Sequence, residues 1–455
     1  MPLPARVSEP RHTRGWRLPS PVHSTPDPSW DLLLVCVAGY IATGVGRVQQ
    51  LFPALLPLKL AFVSAGCAIA LYLAQPSGRR RVEALRSRAT AAVLLLLLWA
   101  ALSVPGALNQ GIAFHFVTDL FIKTVLLYVL IAGAVRGVRD VERLTFTYFT
   151  IAVVYAVVVL TRFTVGGGDW RLGGLYYYDA NEFATLAVSA IPLGLYFCLQ
   201  RGSLTRRVMS GIGVAALAVT FVQSGSRGGF LAMIAVALFV LFGYSTIRAR
   251  WRIAGTVVIA LVFLATASDR YWTQMRTIMD SDDDYNRTSE SGRIHIWRRG
   301  ITYMVAHPLL GVGAYNFGIA EGTISPLAKL QEYNVGVRWG AAHNSFVQVG
   351  AELGIPGLLF FVTAIGSAFA TLSRVARARP AAPFGPAPPP LAHALFGALV
   401  GFVVGAYFLS LAYHEMLYAL LGLAIGLGKV APLQRQAQTI AARSRSRPSS
   451  ETGRG

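Results

Sequence analysis

The sequence predicts an all-α polytopic membrane protein of about twelve transmembrane helices. Three observations predict it. The 455 residues are 54% hydrophobic and only 14% charged, against about one quarter charged in soluble domains. The apolar residues come in blocks about as long as a bilayer is thick. The basic residues fall in short clusters between those blocks, as in cytoplasmic loops of membrane proteins.

Taken in order, the predicted spans are roughly 30–46, 52–73, 90–108, 114–135, 145–163, 181–199, 208–223, 228–244, 253–267, 345–372, 391–411 and 413–428. The first and last runs are short for a full crossing. Together, residues 30–428 form the predicted transmembrane domain. Residues 1–29 are polar, Pro-rich and basic, without the short apolar core of a cleavable signal. They read as a disordered cytoplasmic tail, and 429–455 reads as a basic cytoplasmic tail. The stretch 268–342 is one large polar loop. Residues 373–390, ending in a proline run, read as an inner linker.

Charge sets the orientation. With the N-terminus inside, 27 Lys and Arg fall on the inner side, both tails included. They include Arg79–Arg81 with Arg86 and Arg88, then Arg136/Arg139/Arg143, Arg201/Arg206/Arg207, Arg248/Arg250/Arg252 and Arg374/Arg377/Arg379. The short outer loops hold only Arg47, Arg162, Arg171 and Arg227. Long loops are translocated regardless of charge, so 268–342 lies outside. The net charge of +20 therefore reflects membrane topology, and the clustering argues against a nucleic-acid partner. Cys36, Cys67 and Cys198 all sit in apolar runs without zinc spacing, which argues against a disulfide framework.

The outer segments then share one compartment. His343-Asn344 ends the polar loop and opens the span 345–372, so a titratable imidazole sits where helix meets water. Histidine exchanges a proton near neutral pH. Asn344 or Ser345 can cap the helix, and Gly354, Pro356 and Gly357 predict a break in it. Ser224-Gly225-Ser226-Arg227-Gly228-Gly229 makes a tight turn. Arg227 there can grip phosphate with its two-pronged guanidinium or snorkel to headgroups. Arg171 lies in a glycine loop before Tyr176-Tyr177-Tyr178-Asp179-Ala180-Asn181, whose tyrosines read as an interfacial aromatic belt. Apolar residues at 294, 297, 301, 304 and 305 have helical spacing. This predicts an amphipathic helix with Arg293 near its start, where amides favour anions.

Other features read as structural. Asp119 and Lys123 are spaced to pair on one helix. Lys59 stands alone in span two. Asp280 with Asp282–Asp284 reads as a solvated loop, and Asn286-Arg287-Thr288 fits a glycosylation acceptor pattern. His414-Glu415 reads as hairpin polarity.

The Ser226-Arg227-Gly228-Gly229 turn, the large outer loop and His343-Asn344 opening the next span resemble the O-antigen ligase and polymerase superfamily. So do Arg293…Trp297…Pro308…Gly311-Val312-Gly313, Glu352-Leu353-Gly354-Ile355-Pro356-Gly357, and the Arg171 loop ahead of Asn181. In that family a proline commonly precedes the asparagine, where this chain has Ala180. The likeness covers about 165–365.

The resemblance implies a GT-C-type membrane fold in the bacterial inner membrane. It implies transfer of a glycan from an undecaprenyl diphosphate carrier to an acceptor hydroxyl, by inversion and without a metal or other cofactor. The partners it implies are that lipid-linked donor, a lipid-linked or growing glycan acceptor such as lipid A-core, and membrane lipids. It carries over His343 as the base at the acceptor hydroxyl and Arg227 as a diphosphate binder. Residue chemistry adds Arg171, Arg293 and Arg338 as cations for the leaving group, with Asn344, Ser226 and Asn181 in support. No carboxylate pair stands out for a double displacement, which favours a single step. Ligase and polymerase both fit. A transporter fits less well: polar residues gather at one outer face instead of the midplane, and no internal repeat is seen. A non-catalytic assembly partner is the remaining reading.

Overall fold

A computed structural model describes residues 29–74, 86–163, 171–173, 175, 177–200, 203–278, 292–330, 340–378 and 388–445. Most of the N-terminal tail, Arg79–Arg81, Tyr176, the acidic run from Asp280 to Asp284, Asn286-Arg287-Thr288, Arg338 and most of the proline linker lie outside them. The described residues are helical, with no strand among them.

The apolar blocks form α1 (Leu32–Gly44), α2 (Pro53–Ala74), α3 (Arg88–Gly106), α4 (Gln110–Ala134), α5 (Val138–Arg162), α6 (Ala180–Leu199), α7 (Leu204–Ser224), α8 (Arg227–Gly243) and α9 (Ala249–Thr266). Among the described residues of the large loop, three short α-helices follow: α10 (Asp269–Arg276), α11 (Arg293–Ala306) and α12 (Phe317–Thr323). The chain returns through α13 (Ser345–Ala376), α14 (Pro388–Ala406) and α15 (Glu415–Arg445). Ten of these helices are long and apolar enough to cross a membrane; α1 and α8 are the shorter apolar ones. At 13 residues, α1 rises only about 20 Å, less than a hydrocarbon core of roughly 30 Å. The last helix runs past Leu427 into the predicted tail.

The starts of the helices follow from residue type. The first amides of a helix lack intrahelical partners, and short polar side chains satisfy them. Asp31, Ser87, Asn109, Asp179, Ser226, Ser268 and Asn344 each accept a backbone N–H of the turn they open. At α6 the cap is reciprocal, with Glu182 bonded back to the Asp179 N–H. In the interior, α6 packs against α7 and α14, α13 against α3 and α14, and α15 against α4. Helices α6, α14 and α15 are buried over most of their surface, whereas α2 and α9 lie at the periphery.

Three expectations are corrected. Asp119 lies 3.2 Å from His115 Nδ1, not beside Lys123. Asp119 sits inside a π turn, Phe116–Phe121, and its i,i+4 partner is the preceding His115. Tyr178 is buried with its hydroxyl donating to the Val45 carbonyl, and Tyr177 accepts from Arg47 at 2.7 Å. Tyr178 therefore packs inward and leaves the predicted belt, whereas Tyr177 stays exposed. Helix α11 forms as predicted, but it buries Ile296, Gly300 and Tyr303, while Ile301 and Val305 stay exposed. Gly300 sets that face: a side chain there would collide with Val347 and Phe317.

The turn after α11 is clamped onto the break in α13. Gly311, Gly313 and Gly354 all have positive φ. Val312 N donates to Ala351 O (2.8 Å), Gly313 N to Glu352 O (3.0 Å) and Ile355 N to Pro308 O (2.8 Å). A Cβ on Gly311 would strike the Glu352 backbone, and one on Gly354 the Leu309 and Pro308 carbonyls. Leu108 N and Trp99 Nε1 tie the same turn to the end of α3.

Candidate active site

His343 precedes α13 with φ +48°, a left-handed backbone that histidine adopts more readily than most residues. Its amide donates to Ser410 Oγ at 2.9 Å. Two residues on, Ser345 Oγ donates to Leu409 O and accepts from Leu411 N (2.8 and 2.9 Å). The turn between α14 and α15 thus holds the backbone that presents the imidazole. Asn344 is spent on the cap, accepting from Phe346 N and Val347 N.

The loop helix closes over the same point. Trp297 Nε1 donates to Ala342 O at 3.1 Å, and its ring lies edge-on to Tyr407. Arg293, first residue of α11, is close enough to act electrostatically on His343. The imidazole is half-buried. Burial, then the Arg293 charge, hold it below the ordinary value of 6.5, while Asp179 pulls upward. Disfavouring the cation leaves a neutral imidazole near neutral pH, the form that accepts a proton.

The Arg227 turn reaches the same hairpin. Gly228 packs on the Phe408 side chain, so closely that a Cβ would clash. Ser226 is buried and caps α8 through Gly229 N. Arg227 Nη1 donates to Thr277 Oγ1 at 2.9 Å, tying the turn to the end of α10. Leu172 N donates to Gln223 O (3.0 Å), which sets the Arg171 loop beside that turn. Arg171 Nη2 contacts Asn181 Oδ1 at 3.4 Å.

Arg293 and Asp179 therefore lie within electrostatic reach of His343, and the Arg227 turn meets the 407–411 hairpin that holds the His343 backbone, with the Arg171 loop beside that turn. Asn344 and Ser226 serve as caps. Ser410 and Phe408 emerge only in the fold, since a serine among apolar residues carries no local signal. So does the ion pair of Arg47 with Glu415 (3.0 Å), in which Arg47 also stacks 3.7 Å over the Tyr177 ring. That pair gives His414-Glu415 a structural role.

A family model described as O-antigen ligase matches residues 212–362. The matched region runs from α7 through the Arg227 turn, the large loop and His343 to the first turns beyond the break in α13. It supports the O-antigen ligase/polymerase superfamily, with Arg171 and Asn181 outside the match. No curated protein matches the chain.

Proposed function

We propose that this polytopic membrane protein of the O-antigen ligase/polymerase superfamily is a glycan ligase. It moves a glycan from undecaprenyl diphosphate to a sugar hydroxyl, of lipid A-core or a similar acceptor, at the periplasmic face of a bacterial inner membrane. Both termini lie in the cytoplasm, as the arginine clusters require.

The observation that carries the reading is a half-buried histidine held in left-handed backbone within electrostatic reach of an arginine. His343 removes the acceptor hydroxyl proton as that oxygen attacks the anomeric carbon. The bond from that carbon to the diphosphate oxygen breaks, its electron pair leaves with the phosphate, and the configuration inverts. Arg227, Arg171, Arg293 and Arg338 meet the charge that develops on the leaving group. Fixed cations stabilise such charge without reorganising during the reaction. Asn181 orients Arg171, and Asn344 and Ser226 fix the two backbone turns.

The superfamily match also fits a polymerase that extends a lipid-linked repeat unit. Purified protein in liposomes, given the lipid-linked donor with and without lipid A-core, separates them. Transfer to lipid A-core is expected. Lengthening of the donor chain alone replaces the ligase with the polymerase.

A further inference from the structure

At the end of the bundle opposite His343, a cleft of about 730 Å³ opens between the start of α3, the second half of α13 and α15. Its size falls within the roughly 300–1,000 Å³ of small-molecule sites. Arg86, Arg88, Arg374 and Lys429 line it, and no carboxylate is among the described lining residues. Arg374 Nη2 donates to Thr371 Oγ1 at 3.1 Å, and Thr371 also faces the cleft. The first residues of α3, Arg88 and Ala89, form another wall, so the positive end of that helix adds to the field.

Lys429 Nζ donates to the Ala132 and Gly133 carbonyls (2.9 and 3.0 Å), so the three guanidiniums are the cations that fit a phosphate. The walls argue for one carried by a lipid. A Cβ on Gly366, which lines the cleft, would meet nothing within 4 Å. Further along the same two helices, Leu94, Leu95 and Leu98 of α3 and Leu359 and Val362 of α13 are exposed. The helices that wall the cleft thus also present exposed apolar side chains in their membrane-spanning parts, where acyl chains would lie.

We propose that this cleft binds the headgroup of an anionic phospholipid, such as phosphatidylglycerol or cardiolipin, in the leaflet opposite the active site. Basic pockets between membrane helices on the cytoplasmic side recognise such headgroups. This site stands apart from the glycan-transfer reading and survives its failure.

The test is native mass spectrometry of the full chain released from nanodiscs of equal phosphatidylglycerol and phosphatidylcholine. Preferential retention of phosphatidylglycerol is expected, falling about fivefold for each charge removed in Arg88→Gln with Arg374→Gln. Should the double variant misfold, Arg374→Gln alone carries the comparison, because that side chain is exposed. Equal retention of the two lipids by the wild type overturns the site. So does unchanged retention by a folded variant. A third arm measures melting temperature in detergent with inorganic phosphate. Stabilisation equal to that from phosphatidylglycerol assigns the cleft to free phosphate and overturns the lipid.

Discussion

The rim around His343 and the clamp between Pro308–Gly313 and Ala351–Gly357 are both built from short motifs of one stretch of chain, yet they work differently. At the rim, the proposed function rests on side chains: an imidazole, guanidiniums and a serine that fixes the histidine amide. At the clamp, backbone acts: carbonyls and amides are exchanged at distances only glycine permits. The same density of motif thus gathers titratable and charged side chains in one place and a rigid backbone support in the other. The clamp matters to the rim because it seats α11, which carries Arg293 and Trp297, on α13, which follows His343.

The comparison predicts that rim variants lose rate while clamp variants lose fold. The largest effect is expected from His343→Asn. Asparagine tolerates left-handed backbone but cannot act as the base, so transfer falls about 10²–10⁴-fold while melting temperature holds. Equal losses of rate and melting temperature would erase the distinction.

Gly354→Ala is next and opposite in kind. Left-handed strain alone costs about 1–3 kcal/mol, and the clash with the Leu309 and Pro308 carbonyls adds to it. Lower yield and melting temperature are expected, with activity per folded molecule retained. Arg227→Lys keeps the charge but loses the fork that suits phosphate. Removing a charged hydrogen bond of about 1.5–3 kcal/mol predicts roughly tenfold or greater weakening toward the lipid diphosphate donor. Ser410→Ala is the mildest: loss of one neutral hydrogen bond, about 0.5–1.5 kcal/mol, loosens the His343 backbone and lowers rate severalfold without changing the rate's pH dependence.

The helices were legible because an apolar run the length of a bilayer has few alternatives. Asn344 was legible as a cap because its type and position coincide at a helix start. The face of α11 was not, since Gly300 decides it through contacts with Val347 and Phe317 that no local periodicity encodes. The Asp119 pairing failed because i,i+4 spacing admits the preceding His115 as well as the following Lys123. Of the candidate site, the boundary positions of His343, Arg227 and Arg293 were legible, because charged and titratable residues stand out beside apolar runs. It was illegible in Ser410, and the nearby support pair Arg47 and Glu415 lies 368 residues apart. Such pairs exist only once the helices are assembled.

The most direct test of His343 as the base is the single-turnover rate of glycan transfer measured against pH. A neutral imidazole is the active form, so the rate should fall as pH drops. The midpoint should lie below the ordinary histidine value, because burial and Arg293 disfavour the cation. Arg293→Gln removes that positive neighbour and should move the midpoint upward, and His343→Asn should abolish the limb. A flat profile, or the same acid limb surviving in His343→Asn, would contradict the account.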